Sequence, residues 1–536
     1  MKQYKIFTLL VIMMVMFTVS CTKDLNTKPI DPLVTTSGDV FDNPAAYKQF
    51  LAKLYASLAV TGQKGGFGAP EIQASDEGTT AFIRELWAAE EVTTDECINA
   101  WGDGGLVEYH GGIWSDNNLY VQLMYERFFI NIAYCNEYIR DVNAKLGSLT
   151  GQLKTDATQY VAEARFLRAY FYYCAMNEFG NVPFATETDL PGTFTPKQIA
   201  RADLFKYIES ELLAIQPTLA APGTNEYARA DQAADWALLS RMYLNALVYT
   251  GTQRYNDCIT YSNKVISSNK YTLHPKYQEL FLADNNLDRD EIILPVAEDG
   301  VNTQDYGDVT FIIHAGVGGS EDATNEFGIA TGGWAGNRMT NTFVNRLFPG
   351  HKNGTAADQR AIFYTKNQDT SAITSPTIFT QGYLSAKWKN VTSKGAPGSN
   401  NNFVDTDFPL FRLSEIYLNY AEAVLRGGSG GDAGTALSLV NQIRERAYGG
   451  PSGDITANQL DLNFMIDERG RELYWEAFRR TDLIRFGLFT GGTYLWDFKG
   501  NVQAGVATDS HLNLFPLPAS DLLLNKNLKQ NPGYGN

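Results

Sequence analysis

The sequence predicts a mainly α-helical fold in which helix pairs form a scaffold that carries a loop-rich insertion with short strands. Three observations predict it. Apolar residues recur at three- and four-residue steps along seven separate stretches, the pattern of amphipathic helices. Most of these stretches are closed by Gly or Pro, which stop helices. Residues 296–400 break the pattern: 14 of them are Gly, against 47 in the whole 536-residue chain, and Asn, Thr and Ser are frequent. The composition agrees with a globular chain, because 44% hydrophobic and 19% charged residues can build a large core. A net charge of −16 leaves no basic footprint, which argues against nucleic acid as a partner. The aromatic share of 12%, with 30 Phe, 29 Tyr and 8 Trp, exceeds what a core needs, so some rings are expected to face a ligand.

From the beginning of the chain, Lys2 and Lys5 precede an uncharged apolar run, Ile6 to Phe17, that is too short to span a bilayer. Residues 1–20 read as a signal peptide. Ser20 directly before Cys21 is similar to the lipobox of bacterial lipoproteins, which makes Cys21 the candidate lipidation site; the alternative is an ordinary secreted leader with Cys21 incidental. Multiple acyl chains would anchor stably where one would not. Residues 21–40 then form the lipidated leash, polar and Pro-containing from Asp24 to Pro32. Residues 41–536 read as one domain, with the loop-rich region at about 296–400. Cys97, Cys135, Cys174 and Cys258 lack metal or redox spacing and read as buried free thiols, with two disulfides as the alternative.

The helical stretches follow in order. In Val161 to Glu178, Ala164, Leu167, Phe171, Cys174 and Ala175 form one apolar stripe, and Gly180 with Pro183 stops it. Similar stripes run through Leu204 to Leu213, Ala233 to Tyr249, Tyr255 to Ile266, Leu413 to Leu425, Ala436 to Arg446 and Met465 to Phe486. Met242 to Ala246 leads through Gly251 to a second helix, and Ile416 to Ala421 leads through Gly427 to another. These pairs predict a tetratricopeptide-like arrangement without its strict period; an irregular bundle satisfies the same stripes. Inside 296–400, Val309 to Ile313 reads as a short strand, and loops of this length tend to carry binding groups.

Catalytic motifs are weak. His110, His274, His314, His351 and His511 are never spaced as a metal motif. Gly427 to Gly431 spells GxSxG but follows a helix in a Gly-rich linker, where a nucleophile elbow needs a strand before it. Gly62, Gly65, Gly66 and Gly68 make a turn-rich loop without a phosphate-holding Lys. Asp284, Asn286, Asp288 and Asp290 alternate like a calcium loop, yet Arg289 and Pro295 occupy the positions of its Gly and its bidentate Glu, so structural calcium is a minor alternative to no cofactor. Glu468, Glu472 and Glu476 share a helical face with Arg neighbours three or four residues away, which predicts a salt-bridged structural helix rather than a glycosidase pair. Trp87, Trp236 and Trp475 lie on helical stripes and are expected in the core. Trp101, Trp114, Trp334, Trp388 and Trp496 are flanked by Gly, Asn or Asp, and such loop rings suit the apolar face of a pyranose.

Several stretches resemble the SusD/RagB family of nutrient-uptake lipoproteins: Ala162 to Tyr172 followed by Phe179 to Pro183, Phe411 to Ala423, Ile443 to Ala447, Ile466 to Leu473, and the ending Asn531 to Tyr534. The blocks are in order and cover the chain from Cys21 to the end. The resemblance implies a tetratricopeptide-like frame, a surface-exposed outer-membrane lipoprotein, and a SusC-like TonB-dependent transporter beneath it. It implies a protein that captures oligosaccharides and is not an enzyme. The loops are similar to the starch-binding type of the family, whose site is an arc of two Trp and one Tyr with Asp, Arg and Asn. Asp76, Arg84 and Trp101 match its first elements, Tyr306 and Trp334 complete the arc, and Gly104 stands near the position of the Asn. Tyr494 to Gly500 is similar too. The implied ligand is an α-glucan such as starch. Two other readings stay open: a surface-anchored glycoside hydrolase, and a peptide-binding or scaffolding helical-repeat lipoprotein.

Overall fold

The computed structural model describes residues 40–535, apart from 64, 69, 191, 193, 288, 319–321, 331, 352–355 and 367. The leader, Cys21 and all of the leash but Val40 lie outside the described residues. The chain divides into two compact units, Met1–Tyr47 and Lys48–Asn536. Among the described residues no helix is long and apolar enough to cross a membrane.

Helices dominate. After α1 (Pro44–Ala59) come the short α2 (Phe82–Trp87) and α3 (Leu106–Gly111), then the two longest, α4 (Leu119–Leu146) and α5 (Gly151–Phe179). Next are α6 (Arg201–Ile215), α7 (Gln232–Leu244), α8 (Ala246–Thr250) and α9 (Tyr255–Ser267). The loop-rich region holds α10 (Asp308–Ala315), α11 (Asp322–Glu326) and α12 (Asn341–Leu347). The chain closes with α13 (Leu413–Leu425), α14 (Ala433–Tyr448), α15 (Leu462–Leu473), α16 (Arg479–Arg485) and α17 (Ala519–Leu524). Side-chain caps start several of them: Asn118 accepts from the Val121 amide, Asp231 from Ala233 and Ala234, and Asp461 from Phe464. Each long helix packs on the next, α4 on α5, α5 on α6, α7 on α9, α9 on α13 and α13 on α14, which is the tetratricopeptide-like frame.

Four small antiparallel ribbons complete the described fold: β1 (Cys97–Asn99) with β5 (Asn337–Met339), β2 (Val182–Phe184) with β3 (Lys197–Ile199), β4 (Ile292–Val296) with β8 (Phe408–Arg412), and β6 (Phe363–Tyr364) with β7 (Leu384–Ser385). Cys97, Cys135, Cys174 and Cys258 are buried free thiols.

Three expectations need correcting. Val309 to Ile313 is part of helix α10, not a strand. All its residues are buried, so a continuous apolar run is satisfied by helix as well as by strand. The stretch Ala233 to Tyr249 is two helices, because the Asn245 side chain donates to the Arg241 carbonyl and accepts from Arg485, and the backbone bends there. Met465 to Phe486 is likewise two helices. Between them Trp475 and Ala477 adopt φ of 60° and 63°, and the backbone amides freed by the break donate to buried carboxylates, Trp475 to Glu96 and Ala477 to Glu91.

Candidate functional site

The five predicted site residues arrive from separate parts of the chain. Asp76 caps the tight turn Glu77–Thr80, accepting from the Gly78 amide at 3.3 Å, and Arg84 lies one turn further on, in α2. Trp101 leaves β1 and Trp334 enters β5. Because these strands pair, with Asn99 opposite Asn337, the two tryptophans come side by side, and the Trp101 indole N–H donates to the Trp334 carbonyl at 2.9 Å. Tyr306 precedes α10, which packs on α2. Its backbone lies so close to Gly78 that a Cβ there would stand 2.6 Å from the Tyr306 carbonyl, so the Asp76 turn and Tyr306 are held together. The five residues line one open hollow of about 450 Å³, and Asp103 joins them.

The rings are half-buried and inclined. Tyr306 and Trp334 have centroids 6.3 Å apart with planes at 54°. Trp334 rests on His314, at 4.7 Å and 24°. Burial lowers the His314 pKa to about 4, so at neutral pH the support is an uncharged flat ring. The loop that presents Trp334 is unusual: Gly332, Gly333 and Ala335 all have positive φ, of 71°, 78° and 51°. It is held by hydrogen bonds in which the Trp334, Ala335 and Gly336 amides donate to the His314, Val317 and Ala315 carbonyls, at 2.7 to 2.9 Å. Ala335 pays for its left-handed backbone where a scaffold overrides local preference.

Arg84 is 2% exposed, between Phe311 and Trp101, with its guanidinium carbon 4.6 and 5.8 Å from their ring centres. It reaches the exposed Asp76 carboxylate at 3.1 Å. Burial works against its charge, but Tyr120, Asp76 and Glu85 together keep its pKa above the ordinary value. Behind it, burial pushes the Glu85 carboxyl well up, and neither of its oxygens has a hydrogen-bond partner. Glu77 is pushed up to about 9, by burial and then by the adjoining Asp305 carboxylate. The hollow therefore offers inclined aromatic faces, a fixed cation and two carboxylates, Asp76 and Asp103. That set suits a flat ring carrying hydroxyl groups.

Comparison with known proteins decides the family. A family model described as the SusD family matches residues 240–534, and one described as starch-binding, associating with the outer membrane, matches 39–244. The starch-binding protein SusD of Bacteroides thetaiotaomicron is 34% identical over 96% of both chains. The chain belongs to the SusD/RagB family. Solved structures share the SusD fold: a SusD homolog from B. thetaiotaomicron has a TM-score of 0.72 at 21% identity, covering 93% of this chain and 98% of its own. The surface glycan-binding protein A of the same organism, in complex with laminarihexaose, has a TM-score of 0.68 at 18% identity, covering 91% and 99%.

Within this SusD-family chain the structure sorts the tryptophans differently from the sequence. Trp114, Trp388 and Trp496 are buried, at 4%, 2% and 3% exposure, against Phe515, Phe408 and Phe489. Loop tryptophans with small polar neighbours thus serve as packing plugs at three of five positions. Tyr494 is buried too, donating to Asp95 at 2.5 Å. Trp87 and Trp475 are in the core, but Trp236 is half-buried. Asp103 lines the hollow although the resemblance points to the neighbouring Gly104, where a Cβ would meet nothing within 4 Å. Among the described residues no cluster of His, Cys, Asp or Glu is arranged to hold a metal, and Asp284 accepts from the Ser393 amide and hydroxyl. Residue 288 lies outside the described residues.

Proposed function

We propose that the protein is a cell-surface lipoprotein that captures α-glucan chains and delivers them to a SusC-like TonB-dependent transporter. Asp76, Arg84, Trp101, Tyr306 and Trp334 are its ligand-binding residues. Residues 1–20 are the signal peptide, Cys21 carries the lipid, 21–40 form the leash, and 41–536 form one SusD-like domain facing the cell exterior from the outer membrane. It is a binder, not an enzyme. The observation that carries the reading is the meeting of Trp101, Tyr306 and Trp334 with Arg84 and Asp76 around one hollow. Support comes from the 34% identity to a starch-binding protein across nearly the whole chain.

The mechanism follows from the geometry. Inclined ring faces match the curved apolar strip of a helical amylose segment, and rings already held by His314 and by the Trp101–Trp334 hydrogen bond lose little freedom on binding. Arg84, pinned by Phe311 and Asp76, and the carboxylates of Asp76 and Asp103 then hydrogen-bond sugar hydroxyls and set the register. Trp101→Ala or Trp334→Ala is expected to weaken retardation on a starch affinity gel roughly tenfold or more while leaving the circular dichroism spectrum unchanged. Unaltered retardation in both variants removes the site. Release of reducing sugar from a glucan by the purified protein would instead establish a hydrolase.

A further inference from the structure

Trp236 lies on α7 within an apolar stripe, yet its indole is half-buried and lines a second open hollow, of about 420 Å³, that shares no residue with the first. The other walls are the 221–224 turn and the end of α9, which contribute Thr224, Lys264, Ser267, Ser268 and Lys270. This hollow has a chemistry of its own. In a chain of net charge −16 it contains two ammonium groups and no carboxylate. Neither lysine makes an ion pair among the described residues. Lys264 Nζ stands 4.3 Å from the centre of the Tyr261 ring and 5.6 Å from that of Trp236, and its bond to Gln216 Oε1 is long, at 3.5 Å. The neighbouring Asp235 does not line the hollow, and burial pushes its carboxyl well above the usual range while Lys264 draws it down. The hydroxyls of Thr224, Ser267 and Ser268 donate to the carbonyls of Ala221, Asn263 and Val265 at 2.6 to 2.8 Å, and the Ser268 oxygen also accepts from the Lys270 amide at 3.3 Å, which leaves the Thr224 and Ser267 oxygens to accept from a ligand. The indole N–H of Trp236 has no partner among the described residues.

We propose that this hollow is a second ligand site, which binds a pyranoside carrying a carboxylate. The sugar ring lies against the Trp236 indole, the carboxylate is taken by Lys264 and Lys270, and ring hydroxyls donate to the Ser and Thr oxygens. A small anion alone would leave the indole unused, and a neutral sugar would leave both ammonium groups unpaired. The negative end of the α9 dipole opposes an anion here, but two full positive charges outweigh that half-charge. The assignment is independent of the glucan reading, since it rests on other residues.

Fluorine NMR of the full chain labelled with 5-fluorotryptophan tests it, with the Trp236 resonance assigned by its disappearance in Trp236→Phe. Methyl α-glucuronide is expected to move that resonance, with methyl α-glucoside binding at least about tenfold more weakly. The movement persists in Trp101→Ala and is lost in the Lys264→Met/Lys270→Met double variant, whose circular dichroism spectrum shows the fold retained. A resonance that ignores the glucuronide, responds equally to both glycosides, or still moves in the double variant overturns the proposal.

Discussion

Gly336 decides where Trp101 sits. A Cβ at that position would stand 2.7 Å from the Cε2 and Cζ2 atoms of the indole, well inside contact distance, and a rigid ring cannot yield by rotating one bond. Gly336→Ala should therefore displace the Trp101 ring while leaving the β1–β5 pairing in place. Calorimetric titration with maltoheptaose should give an affinity several-fold weaker than wild type, with a thermal midpoint lower by no more than a few degrees; an unchanged affinity would mean that the position of Trp101 does not matter. His314 acts at the same scale. Its ring makes the floor of Trp334, and burial keeps that floor uncharged down to a pH of about 4. The hollow is thus shaped by residues outside its lining, which is why the resemblance to the starch-binding type points to Trp101 and Trp334 but not to Gly336 or His314.

At the scale of elements, the break between α15 and α16 is the feature most at odds with local sequence preference. Helical periodicity runs unbroken from Met465 to Phe486, yet the chain leaves the helix after Leu473. Tertiary partners override propensity there: Glu91 and Glu96 accept from the freed amides, and Trp475 packs edge-on against Trp87 at 5.1 Å. A left-handed conformation costs a non-glycine residue about 1–2 kcal/mol, and Gly loses roughly 0.5–1 kcal/mol more chain entropy than Ala. Ala477, at φ 63°, carries that cost. Ala477→Gly should raise stability by about 0.5–1 kcal/mol in urea titrations. A loss of stability would place the strain elsewhere.

Over the whole molecule, buried charge ties distant parts of the chain together. The carboxylates of 468, 472 and 476 do form a salt-bridged structure, but mostly with residues far away in sequence. Glu468 pairs with Arg360 and Arg444 at 2.8 Å and locally with Arg471 at 2.9 Å. Glu472 pairs with Arg412 at 2.6 Å and Arg360 at 3.0 Å, and also with Arg446. Glu476 holds Arg412 and Lys387. Burial alone would raise the Glu468 pKa, but Arg360, Arg471 and Arg444 overcome it and hold it at about 2. A carboxylate depressed on folding adds stability above its unfolded value, near 4.5, and that stability is lost as pH falls toward 2. Glu468→Gln should cost about 3–5 kcal/mol at neutral pH by leaving buried guanidinium groups unpaired. The gap in thermal midpoint between variant and wild type should narrow as pH falls below about 4.5, as wild type loses the same charge. A gap that stays constant with pH would mean Glu468 contributes by packing alone. The four core thiols give a second global check. Burial raises the pKa of Cys97 well up and that of Cys135 and Cys258 to about 12, so a thiol reagent should label none of them before unfolding. Rapid labelling of the native protein would show that the core opens.

By itself the sequence determined the class of fold and seven helical stretches, because amphipathic periodicity and Gly or Pro stops are written along the chain, while the five residues that gather at the hollow came from the resemblance to the starch-binding type. It did not determine which tryptophans remain uncovered. Trp114, Trp388 and Trp496 have the same polar neighbours as Trp101, and Trp236 has the same helical stripe as Trp87. Only the tertiary structure decided that, since exposure of a ring depends on whether residues remote in sequence, such as Phe408 over Trp388 or Phe311 against Trp87, fold back to cover it. The same holds for the break at 474–478, where buried carboxylates nearly four hundred residues earlier in the chain supply acceptors that a helix would otherwise have provided.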